Sequence, residues 1–280
     1  MDNFADDKHI KHKLFRFFYI VCKHSSKQQI EDNSSFILSF INQFISSFGQ
    51  YNDKIYYSYY YSFFSFGNLI MKGIDVQLFI KPELISIYNK CLHSTLPRVL
   101  SGDFFVLNKI IDNTDNYDFT ELIDYKQAIE IIFNKIQDEK DSDLKEKVIL
   151  NGLYFLISSA TCCNQIREYL FGLDLFQAIE HLFISSSFRI RSNLSYLYIS
   201  LIPRNDFENR INLLKSQFFM NYILQLIDSY DNNTQRAILN IVYNTLLYCD
   251  SLGNKIYHQF LIENKFTFLV EDISFEDEAS

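Results

Sequence analysis

The side chains best suited to bind a metal lie near the start of the 280-residue chain. His9 and His12 are about one helical turn apart, and Cys22 and His24 follow in the same basic stretch. Imidazole and thiolate are the usual zinc ligands, but this spacing differs from structural zinc patterns, and the neighbouring lysines would repel a cation. The sequence therefore favours an ordinary basic helix surface, and we predict neither a metal nor another cofactor.

The other reactive side chains do not combine into an active site. Cys162 and Cys163 are adjacent, which suits neither an easy disulfide nor a zinc pair, so we expect buried apolar residues. His181 has no third group to orient it toward a thiol. The motifs HExxH, GxSxG and CxxC and a glycine-rich phosphate loop are absent. We predict no catalytic residues and no enzyme, with an enzyme lacking a recognisable motif as the less favoured alternative.

Composition narrows the class of protein further. The chain has 34 acidic and 26 basic residues, a net charge of -8, so a bulk electrostatic attraction to nucleic acid is not expected. Two uncharged stretches, residues 55–71 and 148–166, are short or too polar along one face to span a membrane. Five cysteines, an odd number, indicate free thiols in a reducing compartment, and the N-terminus lacks a secretory signal. We expect the protein in the cytoplasm, the nucleus or both.

The elements that would position functional residues are helices in a repeat. The chain has only 7 Gly and 3 Pro, which favours long helices joined by short polar turns. An apolar stripe at i, i+3, i+4 and i+7 surrounds Tyr154 and returns around Tyr198 and Tyr243, at spacings of 44 and 45 residues. A second amphipathic element follows each stripe, and Gly172 and Gly253 are placed to end helices in the left-handed conformation. This period indicates stacked helical repeats.

The repeat resembles the armadillo type, in which two shorter helices precede a longer third helix with the pattern Ala-x-x-x-Leu-x-Asn-Leu. Residues 62–70 resemble that third helix, including its asparagine at Asn68. Residues 253–264 resemble a first helix, and residues 265–273 resemble the second helix that follows it. The resemblance implies an all-α, right-handed α-solenoid of about six armadillo/HEAT-like helical repeats, whose third helices line a concave groove.

In nuclear-import members of that family, a Trp on each third helix and an Asn one turn later bind an extended peptide. This chain has no Trp, and the resemblance places Phe or Tyr at those positions. The predicted partner-binding ladder is Phe18, Phe64, Asn68, Tyr154, Ser158, Tyr198, Tyr243 and Asn244. Aromatic rings in such a groove could stack on Arg or Lys side chains of a partner. Rings at helical spacing are also typical of a core, and both interpretations stay open.

We expect residues 1–273 to form a single solenoid, with its weakest repeat near residues 98–137 and a hinge candidate at 138–147. Residues 274–280 are expected to be an acidic, disordered tail. The predicted function is a non-enzymatic scaffold or adaptor that binds a partner protein or an extended peptide along the concave face. The alternative is a nuclear-transport-type adaptor whose basic N-terminal segment engages a carrier. We predict no direct contact with nucleic acid and no membrane span.

Overall fold

The computed structural model describes residues 8–47, 56–115, 117–202, 206–228, 232–264 and 266. Within these ranges the chain forms helices and turns, and no described residue lies in a β-strand. The chain divides into two compact units, residues 1–169 and 170–280. The stacking of both units as one solenoid over residues 1–273 stays a prediction. The tail 274–280 lies outside the described residues.

The first unit is built from helices of unequal length. In chain order they are α1 (Lys8–His24), α2 (Lys27–Glu31), α3 (Ser34–Ser47), α4 (Tyr56–Met71), α5 (Pro82–Cys91), α6 (Pro97–Asp112), α7 (Tyr125–Phe133), α8 (Ser142–Cys162) and α9 (Asn164–Phe171), whose last two residues belong to the second unit. Two short 3₁₀ turns, Val76–Leu78 and Lys135–Asp138, follow α4 and α7. Among the described helices, none is long and apolar enough to cross a membrane.

The second unit continues with shorter and less regular elements. Its helices are α10 (Phe176–Ser185), α11 (Phe188–Leu201), α12 (Phe207–Leu214), α13 (Asn232–Ser251) and α14 (Ile256–Glu263). Where the sequence predicts an amphipathic helix between α12 and α13, the chain forms a π-helical turn, Phe219–Ile223, and a 3₁₀ segment, Leu224–Asp228. The second helix predicted at 265–273 lies outside the described residues except for Phe266.

Local capping residues set several of these boundaries. Pro82 and Pro97 occupy the first turns of α5 and α6, where a missing N–H leaves no helical hydrogen bond unmade. The Asp141 carboxylate accepts a hydrogen bond from the Leu144 N–H at 3.1 Å and caps α8. Helix α8 therefore begins at Ser142, and the second half of the predicted hinge, 138–147, is helical.

One of the two predicted left-handed glycines has that conformation. Gly253 has φ 64°, after α13, which confirms its place at a helix end. Gly172 does not have the left-handed conformation. The residue with a positive φ after α9 is Asp174, at φ 52°. Asp tolerates this region better than most side chains, so the chain turns there without using its glycine.

Six helices correspond to the third helix of each repeat, and we call α1, α4, α6, α8, α11 and α13 the third helices. In the first unit α1 packs against α4, α4 against α6, and α6 against α8. In the second unit α11 packs against α13. The repeat near 98–137 has a complete third helix of 16 residues in α6. Residues 117–124, where a first helix would precede α7, form turns instead.

Two glycines allow neighbouring helices of the first unit to approach closely. A Cβ atom on Gly67 in α4 would lie 2.4 Å from Cε1 of Phe105 in α6. A Cβ atom on Gly152 in α8 would lie 2.5 Å from Cγ1 of Ile132 in α7. Both distances are far below van der Waals contact, so the packing depends on the missing side chains.

Candidate functional site

One pattern of burial recurs along the third helices. Two buried residues are followed by a partly exposed one, three buried ones, a second partly exposed one and two buried ones. The pattern covers residues 62–70, 103–111 and 152–160 in the first unit, and 194–202 in the second. In each stretch the first partly exposed residue is aromatic and the second, one turn later, is polar. The pairs are Phe64 and Asn68, Phe105 and Lys109, Tyr154 and Ser158, and Tyr196 and Ser200.

Helix α1 adds a further pair to the first unit. The Tyr19 ring lies 6.3 Å from the Phe64 ring, centroid to centroid, and Lys23 Nζ lies 5.9 Å from the Tyr19 ring centroid. The Phe64 ring in turn stacks on Phe105, with centroids 4.6 Å apart and ring planes 14° apart. We call Tyr19, Phe64, Phe105 and Tyr154 the aromatic row, and Lys23, Asn68, Lys109 and Ser158 the polar row.

Hydrogen bonds fix the polar row where α6 meets α8. Asp112 accepts hydrogen bonds from Lys109 Nζ at 2.9 Å and from the Ser158 hydroxyl. With its amide oriented to satisfy its neighbours, Asn108 donates to the Tyr154 carbonyl at 3.2 Å and to Ser158 Oγ at 2.8 Å. These bonds join the two helices and position their polar groups before any ligand arrives.

A side-chain amide also joins α6 and α8 nearer the N-terminus of each helix. Asn151 Nδ2 donates to the Ser101 carbonyl at 3.0 Å and to Ser101 Oγ at 2.9 Å. On α4 the Asn68 amide donates to the Phe64 carbonyl, 2.6 Å away in the same helix. The Asn68 side-chain oxygen therefore faces away from that bond.

Four of the predicted ladder residues lie in the two rows: Phe64, Asn68, Tyr154 and Ser158. Tyr243 in α13 is partly exposed and Asn244 is exposed, so both side chains reach the surface of the second unit. A binding role for these six residues stays a prediction.

The structure contradicts a surface position for Phe18 and Tyr198, which are 2% and 0% exposed. The Phe18 ring stacks on Phe40 of α3. Tyr198 donates to the Leu213 carbonyl at 3.3 Å and shares a hydrogen bond with Ser216 Oγ, and its burial raises its pKa to about 12. Both rings belong to the core stripes of their helices. Tyr19 and Tyr196, which the spacing of the repeats does not select, hold the surface positions.

The cysteines of the chain are all free, and four of the five are buried. Burial raises the pKa of the Cys22 thiol to about 12 and that of Cys162 to about 11. Cys163 is buried as predicted, and Cys162 is partly exposed. Among the described residues, no group of three or more His, Cys, Asp or Glu could hold a metal ion. The side chains of His9 and His12 lie outside the described residues.

A carboxyl group is buried next to the site. Asp103 in α6 is 0% exposed, and neither of its oxygens has a hydrogen-bond partner. It occupies the first position of the burial pattern, where α4 has Ser62 and α8 has Gly152. Desolvation raises the pKa of Asp103 well above its usual value and so favours the neutral acid.

A separate cleft of about 540 Å³ lies between α5 and the turns at 117–124 that precede α7. Asn89 on its wall donates to the Leu122 carbonyl at 2.7 Å and accepts from the Asp124 N–H at 3.0 Å. The amide of Asn89 thus substitutes for helix contacts and holds the turn before α7 in place.

No known protein family matches the sequence, and no curated protein matches it. Several solved structures do match this chain. The designed armadillo repeat protein YIII(Dq)4CqI superposes with a TM-score of 0.65 at 15% identity, over 86% of this chain and 95% of the designed one. The fold is of the armadillo type.

Two further armadillo structures match at similar levels. A designed armadillo repeat protein in complex with the peptide (KR)4 gives a TM-score of 0.63 at 13% identity, over 86% of this chain and 95% of that one. Armadillo repeat proteins computationally designed for modular peptide recognition give 0.63 at 14% identity, over 85% and 94%. At these identities the likeness confirms an all-α solenoid of armadillo repeats. It does not assign functional roles to individual residues.

Proposed function

We propose that this protein is a non-enzymatic scaffold or adaptor that binds an extended peptide segment of a partner protein along the two rows of the first unit. One observation carries the proposal: consecutive third helices repeat a half-exposed ring followed one turn later by a polar side chain. A designed armadillo neighbour in complex with the peptide (KR)4 supports the use of this fold for peptides.

The chemistry of the rows fits an extended chain. An extended peptide has backbone N–H and C=O groups that need partners once water is displaced, and Asn68, Lys109 and Ser158 offer both donors and acceptors. The rings supply contact area at low entropic cost, because each has few rotatable bonds and because Tyr19, Phe64 and Phe105 already contact one another. The row repeats from helix to helix, and neighbouring helices lie about 8–10 Å apart while an extended chain rises about 3.3 Å per residue, so peptide residues two to three positions apart meet similar sites.

Selection from a random linear peptide library on the intact chain tests the proposal. We expect enriched peptides whose affinity, measured by fluorescence anisotropy, falls about tenfold in Tyr154→Ala, which corresponds to the loss of an aromatic contact worth about 1.4 kcal/mol. Tyr154 is the best probe, because the residue is partly exposed and its backbone carbonyl stays available to Asn108 in the variant.

Tyr117→Ala is the matched control, since Tyr117 is a 40% exposed tyrosine of the same unit that lies away from the rows. Thermal unfolding of both variants verifies that they fold. Peptides that bind Tyr154→Ala as tightly as the unchanged protein, or a library that yields no enriched peptide, would show that the rows are not a peptide site.

A further inference from the structure

The surface around the aromatic row is basic, although the chain as a whole has a net charge of -8. Two cations belong to the polar row itself, Lys23 and Lys109. Arg98 and Lys147 precede Phe105 and Tyr154 by seven residues, close to two turns at 3.6 residues per turn, so they extend from the same face of α6 and α8. Arg98, Lys147 and Lys23 are exposed, and Lys109 is partly exposed.

Fewer acidic than basic residues lie on the described part of this face, and one of the acidic residues is already paired. Asp112 lies seven residues after Phe105, but its carboxylate is already paired with Lys109 and with the Ser158 hydroxyl. Asp143 lies at the start of α8, about three turns before Tyr154. The described part of α4, residues 56–71, contains no charged residue. Among the residues that the structure describes, the face therefore carries four cations (Lys23, Arg98, Lys109 and Lys147) and two carboxylates (Asp112 and Asp143).

On the basis of the proposed function, we infer that the rows of the first unit bind an acidic extended peptide. Glu or Asp side chains of the peptide would pair with Arg98 and Lys147 at one edge and with Lys23 at the other, while its apolar side chains contact the rings. A Lys- or Arg-rich peptide would meet like charges on both sides of the aromatic row. Complementary charge raises the rate of association and disfavours partners of the wrong sign.

Three fluorescein-labelled peptides of equal length test the inference with the full chain, in which Leu alternates with Glu, with Lys or with Ser. We expect the Glu peptide to bind at least about tenfold more tightly than the Lys peptide at low salt, and the difference to shrink as salt screens exposed charges. Fluorescence anisotropy at low and high salt measures both effects.

A double variant locates the contact. Arg98→Gln with Lys147→Gln should weaken the Glu peptide by at least about twofold and leave the Lys peptide no weaker, because each exposed charge pair contributes a factor of about 1.4 to 5. Lys126→Gln with Lys140→Gln is the matched control, since both lysines are exposed and neither lies on a third helix. The control variant should bind all three peptides as the unchanged protein does.

The outcomes separate this inference from the function on which it rests. Equal binding of the Glu and Ser peptides, tighter binding of the Lys peptide, no binding of the Glu peptide, or equal losses in both double variants would each overturn the acidic class. The library selection with Tyr154→Ala would still decide peptide binding by itself. A single-stranded DNA that binds as tightly as the Glu peptide would also overturn the assignment, by showing a surface for anions in general.

Discussion

The buried carboxyl of Asp103 makes the stability of the protein depend on pH in a direction that can be calculated. The group is 0% exposed and has no hydrogen-bond partner, and desolvation raises its pKa well above the ordinary value in the folded state. In the unfolded chain the pKa of an Asp is about 3.9. The folded protein therefore retains a proton that the unfolded chain releases.

The sign follows from proton binding. At a pH below the unfolded pKa both states bind the proton, and the contribution of the group to stability is fully present. As pH rises from there toward the folded pKa, stability falls by about 1.4 kcal/mol per pH unit, because only the folded state still binds the proton. The neutral acid also leaves buried polar atoms unpaired, which costs about 1–3 kcal/mol at any pH.

Two substitutions separate these effects. Asp103→Asn keeps the buried polar atoms but does not titrate, so the stability of the unchanged protein minus that of the variant should fall with rising pH by about 1.4 kcal/mol per unit. Asp103→Ala removes the polar atoms as well, and we expect it to be more stable than Asp103→Asn by about 1–3 kcal/mol, independently of pH. Ala is smaller than the Asp side chain that this position already holds, so it fits there without a clash.

Urea unfolding between pH 4.5 and 7, followed by circular dichroism, measures these differences, and the difference curve cancels the titration of all other groups. Exposed Asp115→Asn controls for the loss of one negative charge. A flat difference curve for Asp103→Asn would refute the reasoning, since it would mean that the carboxyl is solvated or paired in the folded protein. A lower stability of Asp103→Ala than of Asp103→Asn would refute the assigned cost of unpaired polar atoms.

Two further predictions concern packing and capping in the first unit. Gly152→Ala should lower the free energy of unfolding by about 1–3 kcal/mol, because the new methyl group meets Ile132; unchanged stability in urea would show that the two helices can separate. Lys72→Met should lower it by about 1–2 kcal/mol, because the ammonium group donates to the carbonyls of Cys22, Lys23 and Ser25 where α1 ends. Thermal unfolding against the exposed control Lys126→Met measures this effect, and equal losses in both variants would contradict it.

Hydrophobic periodicity was sufficient to predict the helices and the repeat. Leu194, Leu197 and Leu201 form the stripe that the sequence predicts in α11, and all three are fully buried. The same periodicity does not show which side of a stripe reaches the surface, because that depends on the helices that pack against it. Tyr198 follows Tyr154 at the spacing of the repeat but lies inside the stripe, whereas Tyr196, two residues earlier, is partly exposed.

The central ring of the aromatic row, Phe105, was not predicted for a related reason. A uniform step of about 45 residues back from Tyr154 lands near residue 110, but the actual steps are 49 residues to Phe105 and 41 more to Phe64. Turns take the place of a first helix before α7, so this repeat is irregular in length. The order of apolar and polar residues in 103–111 matches that in 62–70. The match is hard to see in the sequence because Asp103 stands where the armadillo pattern has a small residue.

The two interpretations of the aromatic residues, groove and core, both hold within the same row. Phe64 and Phe105 stack on each other beside Gly67, so part of each ring is core and part is surface. A substitution of Phe105 would remove a core contact together with any ligand contact, and a loss of binding would not distinguish them. The Tyr154 ring stacks on no other aromatic ring of the described residues, and its helix is held to α6 by Asn108 and Asn151. Binding and folding are therefore most separable at Tyr154, and the row should be tested from that end.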